Sequence, residues 1–165
     1  MSSEPTPAAN EEQTPAFYGS HTRKVDAKGR FHLPFQFRPG KAPVQEVEEE
    51  NRGDQYMISP GPHGSTALTP LEIWLKRFHT RYEGQSKDQF IRNKRMMSMG
   101  SSLLVPDKQG RVAIPPNFKT DMGIGKEVLI VGMGASMELW APETIAGTDA
   151  GAQSPSEEYL NDFFE

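Results

Sequence analysis

The chain contains no cysteine. Disulfides and thiolate metal sites are therefore excluded, and the composition suits a reducing cytoplasm. It also lacks a long apolar run: hydrophobic residues make up 35% of 165, and nowhere do they form a stretch able to span a bilayer. Met1 to Pro15 has neither a basic start nor an apolar stretch, so no signal peptide is expected. Histidine is scarce, and its four copies are scattered without metal-ligand spacing. These absences predict a cytoplasmic protein with no membrane association, no metal or other cofactor and no small-molecule substrate. The length allows one small globular unit or two intertwined halves.

Net charge is −4, which at first argues against a nucleic-acid partner, but the acids are unevenly placed. Residues 1–16 hold three acids and residues 143–165 hold six, with no Lys or Arg in either segment. Without them, residues 17–142 carry a charge of +5. Four of the remaining acids crowd into Glu46-Val47-Glu48-Glu49-Glu50. For binding, such asymmetry matters more than the total.

What the chain does have is one pattern twice. Asp26-Ala-Lys28-Gly29-Arg30 returns as Asp107-Lys108-Gln-Gly110-Arg111, 81 residues later. At the same offset Val25 aligns with Pro106, Leu33 with Ile114, Pro34 with Pro115, Phe37 with Phe118 and Arg38 with Lys119. The chain is therefore expected to hold two copies of one structural unit. Gly29 and Gly110 suit a positive φ and mark tight turns. The aspartate three residues earlier is placed to accept N–H bonds within the turn. The arginine just after opens a strand, with its guanidinium directed outward. Phe31 to Pro34 and Val112 to Pro115 follow as short strands closed by proline.

In chain order, residues 1–16 are too polar to fold and are expected to be disordered. Phe17 to Lys24 reads as a strand that delivers Arg23 and Lys24 into the first motif, making a basic group with Lys28 and Arg30. Pro39 to Gln55, with its acidic run, reads as an exposed loop insertion. Tyr56–Ser59 and Ala67–Thr69 are strand-like around a turn-rich connection, where His63 is a turn residue. Thr69-Pro70-Leu71-Glu72 predicts a capped helix over 70–83, with Leu71, Trp74, Leu75, Phe78 and Tyr82 as its apolar stripe. That stripe suits a core or subunit interface better than a cofactor site. Ser86 to Gln89 caps a second helix over 87–99, with Phe90, Ile91 and Met97 apolar. Ser101–Val105, Val128–Val131 and Met137–Trp140 are further strands. Leu104 and Val105 replace the basic pair Arg23 and Lys24, so the first motif is expected to contribute more charge. Ser156–Phe163 is a candidate terminal helix, able to dock through its apolar residues on a neighbouring subunit.

Two enzyme-like fragments fail on inspection. Gly123-Ile-Gly125-Lys126 has Glu127 where a phosphate loop needs Ser or Thr. Gly134-Ala-Ser136-Met-Glu138 has Glu138 where a nucleophile elbow needs glycine, and no histidine follows it. No enzyme is expected.

The paired motifs resemble the MraZ family of bacterial regulators of the division and cell-wall gene cluster, in which each of two AbrB-like (swapped-hairpin) halves carries a D-x-x-x-R motif. Asp26 to Arg30 and Asp107 to Arg111 are those motifs. Phe17-Tyr18-Gly19, Lys126 to Gly132 and Glu138-Leu139-Trp140 resemble the family's frame, and the likeness covers roughly residues 17–145. The resemblance implies a mainly β, α+β fold with two AbrB-like units, 17–69 and 101–142, joined by helices over 70–100 in one barrel-like body. The segments 1–16 and 143–165 would be a disordered tail and an acidic tail.

It also implies a ring-forming, cytoplasmic, nucleoid-associated homo-oligomer that binds double-stranded DNA at repeated operator sites, usually as a repressor. Arg30 and Lys28, supported by Arg23 and Lys24, are the expected DNA contacts, followed by Arg111 and Lys108, with Asp26, Gly29, Asp107 and Gly110 building the turns. The rival reading is a structural or partner-binding ring in which Asp–Arg pairs join subunits. An antitoxin-like module is a third, which the tandem fusion disfavours.

Overall fold

In the computed structural model, which describes residues 17–34, 37, 55–145 and 155–165, alternating side chains build an antiparallel sheet. β3 (Tyr56–Pro60) and β4 (Thr66–Pro70) form a hairpin that places Ile58 opposite Leu68 and Ser59 opposite Ala67. Ile58 and Leu68 are fully buried on the core face, whereas Ser59, Ala67 and Thr69 face the other way. β7 (Glu127–Gly132) and β8 (Met137–Trp140) form the matching hairpin, with Ile130 opposite Leu139. β8 pairs with β4, so the hairpins lie side by side.

The outer strands cross between the halves. β1 (Ser20–Lys24) pairs with β7, and β5 (Ser102–Leu104) pairs with β3. The resulting order, β1-β7-β8-β4-β3-β5, is unchanged when the first four strands are exchanged with the last four. A separate ribbon pairs β2 (Arg30–His32) with β6 (Arg111–Ala113), one strand from each motif. Phe31 and Val112 stand opposite each other there, both 1% exposed, and join Tyr56, Ile130, Met137 and Leu139 in one core.

The expected α+β class matches this mixture of antiparallel sheet and helices, but the barrel does not close. β1 and β5 remain edges of the six-stranded sheet. At Asp26 and Asp107 the chain leaves those edges and turns into the ribbon, which covers the core in place of a closing strand pair.

The helices also depart from expectation in places. α1 spans Leu71–Phe78 and has no side-chain cap. Thr69, read as its cap, is paired with Met57 inside β4 and buried, so the strand retains it. The helix ends five residues earlier than the periodicity predicts, leaving Tyr82 54% exposed. α2 (Lys87–Met99) has the full capping box: Ser86 Oγ accepts from Gln89 N at 3.1 Å, and Gln89 Oε1 accepts from Ser86 N at 2.9 Å. α3 (Pro116–Met122) and the short α4 (Pro142–Ile145) were not expected. α5 (Glu157–Phe164) lies within one residue of its predicted bounds. His63 occupies its turn with φ 58°, the one non-glycine positive φ among the described residues. No described helix is long and apolar enough to cross a membrane. The expectations for residues 1–16, Arg38, the connection 39–54 with its acidic run, and 146–154 lie outside the described residues.

Candidate nucleic-acid interface

Each motif folds into the same turn by the same bonds. Asp26 N donates to Arg30 O at 3.0 Å, and Gly29 N donates to Asp26 O at 2.9 Å. Gly29 reaches φ 80°, a region open to glycine at little cost. Asp26 Oδ1 accepts the backbone N–H groups of Lys28 and Arg30 at 2.9 and 2.8 Å. Its other oxygen, Oδ2, accepts Arg30 Nε at 2.8 Å. The second motif repeats the set. Asp107 N donates to Arg111 O at 2.8 Å, Gln109 N and Arg111 N reach Asp107 Oδ1 at 2.9 Å each, and Arg111 Nε reaches Oδ2 at 2.8 Å.

The carboxylate is thus an organiser. The N–H of Arg30 is the largest influence that holds the Asp26 carboxyl down to about 2, and the Arg30 guanidinium and Lys28 N–H add to it. Asp107 is lowered for the same reasons, led by the N–H of Arg111. Both stay ionised at neutral pH, so both arginines are held through Nε. The terminal nitrogens Nη1 and Nη2 of each have no partner among the described residues. Those are the atoms a phosphate or a guanine edge would engage.

The ribbon brings the two turns together. Arg30 stands opposite Ala113, and His32 stands opposite Arg111. Strand alternation therefore puts Arg30, His32, Arg111 and Ala113 on one outward face, with Phe31 and Val112 pointing to the core. Cross-bonds fix the pair, Ile114 N to Gly29 O at 2.8 Å and Leu33 N to Gly110 O at 3.4 Å. Lys28 and Lys108 are exposed on the two turns.

The other predicted pair divides. Arg23 and Lys24 are adjacent in β1 and so point to opposite faces of the sheet, with Lys24 opposite Glu127. A single basic group of Arg23, Lys24, Lys28 and Arg30 is not formed on one face. Lys24 instead lines a shallow cleft of mixed charge beside the first turn, together with Asp26, Lys119, Lys126, Glu127 and Glu143. Lys119 and Lys126 were missed in the sequence because they lie nearly a hundred residues from the motif they flank. His32 was missed although its two-residue spacing from Arg30 is the signal of a shared face. Among the described residues no three His, Cys, Asp or Glu side chains are grouped to hold a metal ion.

Comparison with known proteins places the chain among transcriptional regulators by name. Residues 97–146 match the family described as "MraZ protein, putative antitoxin-like". The transcriptional regulator MraZ of Cutibacterium acnes is 34% identical over 125 residues, 75% of this chain and 80% of that protein. That of Paenarthrobacter aurescens is 32% identical over 150 residues, covering 88% and 87%. That of Kineococcus radiotolerans is 30% identical over 125 residues, covering 75% and 80%. At 30–34% identity over three quarters or more of the chain and most of each relative, this chain belongs to the MraZ family.

Proposed function

We propose that the chain is a sequence-specific DNA-binding transcriptional regulator, a repressor acting on repeated sites upstream of the division and cell-wall genes. The observation that carries this is the outward ribbon face, where two arginines from identical turns are each anchored by Nε and offer their terminal nitrogens. A pre-positioned guanidinium loses little freedom on binding, and a bidentate contact to a guanine edge is worth roughly 1–3 kcal/mol. Lys28 and Lys108 add phosphate contacts, and Lys24, Lys119 and Lys126 lie beside the first turn, interleaved with Glu127 and Glu143. Arg23, on the opposite face of β1 from Lys24, is a supporting residue in this reading. One chain offers few contacts, so the proposal includes a homo-oligomeric ring that engages several repeats at once through effective concentration. The halves are taken as two AbrB-like units, which the exchange-symmetric strand order supports. The working location is the nucleoid, and no catalytic step is assigned.

The rival, in which Asp–Arg pairs knit subunits, is less favoured because both pairs close within their own turn of one chain. The test is a fluorescence-anisotropy titration with DNA from upstream of the gene and with a scrambled duplex, at two salt concentrations. The proposal expects tighter binding to the upstream DNA, weakening steeply as salt rises. Equal affinity for both duplexes, or no binding by an intact oligomer, would reject it.

A further inference from the structure

On the sheet face opposite the ribbon, α1 and α2 enclose a groove of about 490 Å³. Ser59, Ala67, Thr69 and Glu138 line its sheet side, alternating along their strands with the core residues Ile58, Leu68 and Leu139. Its helix side is aromatic: Trp74 and Phe78 stack at 4.6 Å between ring centres, and Phe90 and Met97 continue the wall. Lys94 Nζ lies 5.0 Å from the Phe78 ring centre and 5.4 Å from that of Phe90. Among the described residues, Arg77 and Lys94 are the cations on the groove's lining, and Glu138 is its one acid. It is an apolar slot with two cations on its helix wall.

α5 has the complementary character. Tyr159, Leu160, Phe163 and Phe164 fall on one arc of the helix, while Glu157, Glu158, Asp162 and Glu165 occupy the other. None of its residues is buried, and Tyr159, Phe163 and Phe164 are 55%, 66% and 78% exposed. Three exposed aromatics on one short arc are what a docking face looks like. Ser156 caps the helix by accepting Tyr159 N at 3.1 Å, so its structure is locally encoded.

We infer that α5 docks into the groove of its own chain, aromatic arc inward and acidic arc toward Arg77 and Lys94. Reach permits it. Glu138, on the groove, is seven residues before Ile145, a path of about 25 Å at most, and the eleven residues 146–156 extend up to about 37 Å. A tether this short gives α5 an effective concentration in the millimolar range at its own groove, favouring it over the helix of a second copy. The inference is independent of DNA binding, because groove and ribbon lie on opposite sides of the sheet.

The chain lacks cysteine, so paired cysteines report docking directly. The full chain carrying Asn93→Cys and Leu160→Cys is oxidised, with Met97→Cys and Tyr159→Cys as a second pair should the first impair folding. Docking predicts an intrachain disulfide, seen as a faster-migrating band of single-chain mass, with a yield unchanged on dilution. Adding Phe163→Ser and Phe164→Ser should lower that yield at least tenfold. Disulfides formed only between chains, no disulfide in either pair, or an undiminished yield in the serine variant would each overturn the inference.

Discussion

Ile114 N–H donates to the Gly29 carbonyl at 2.8 Å, tying the strand that leaves the second motif to the turn that forms the first. Neither turn is an independent loop. Each is held by the other half of the chain, so the spacing of the two arginines is set by the β2–β6 ribbon.

That relationship makes Gly29 sensitive. A Cβ there would stand 3.0 Å from Ile114 O, on a backbone with φ 80°. Gly123 has a similar φ of 71° and open space around it. Gly123→Ala therefore costs only the conformational strain, about 1 kcal/mol, whereas Gly29→Ala costs about 2–3 kcal/mol. Urea unfolding of the two variants measures the difference, and equal losses would mean that the Ile114 contact adds nothing.

The carboxylates predict a pH dependence. Asp26 is held at about 2, against about 3.9 in an unfolded chain. A depressed acid stabilises the fold above its unfolded value and loses that contribution as pH falls through the folded one. Its effect is complete above about pH 5 and is lost as pH falls through about 2, and Asp107 acts in the same direction. Asp26→Asn removes the titration. The gap in urea midpoint between wild type and variant should shrink between pH 5 and pH 2; a constant gap would contradict the turn geometry.

Gly132 shows where the entry to β1 needs close approach. Gly132 N donates to Gly19 O at 2.7 Å, and Phe17 and Gly134 exchange bonds of 2.7 and 2.8 Å. A Cβ on Gly132 would meet the backbone of Phe17 and Tyr18, which cannot rotate away. Gly132→Ala is expected to cost about 3 kcal/mol and to lower the melting temperature clearly. A change under about 0.5 kcal/mol, the range of an ordinary surface substitution, would show that this segment is not held against β7.

Much of this was legible because the motif carries its own local bonds. Asp, Gly and Arg at fixed gaps specify a turn whatever surrounds them, and Ser86 with Gln89 specifies a helix start. What the letters did not show depends on distant partners. Thr69 looks like a helix cap until Met57 claims it for a ladder. Pro115 reads as a strand end, and nothing in the motif announces that Pro116 opens α3, which Gly123 closes in the left-handed region. Arg23 and Lys24 look like one basic pair until the pleat of β1 separates them. Lys126 approaches the first turn through the pairing of β1 with β7, where Val25 N donates to its carbonyl, and Lys119 through the helix that follows β6. The exchange of edge strands between halves is a tertiary fact, and the open edges it leaves replaced the expected barrel.

In the proposed function Arg30 and Arg111 act on DNA from one shared face. This is tested most directly by titrating upstream DNA with wild type, Arg30→Ala and Arg111→Ala, each checked for oligomer size by light scattering. Each variant is expected to lose at least tenfold in affinity while its oligomer size stays within error of wild type. Wild-type affinity in both variants would contradict the proposal, as would a loss that appears only with dissociation of the oligomer.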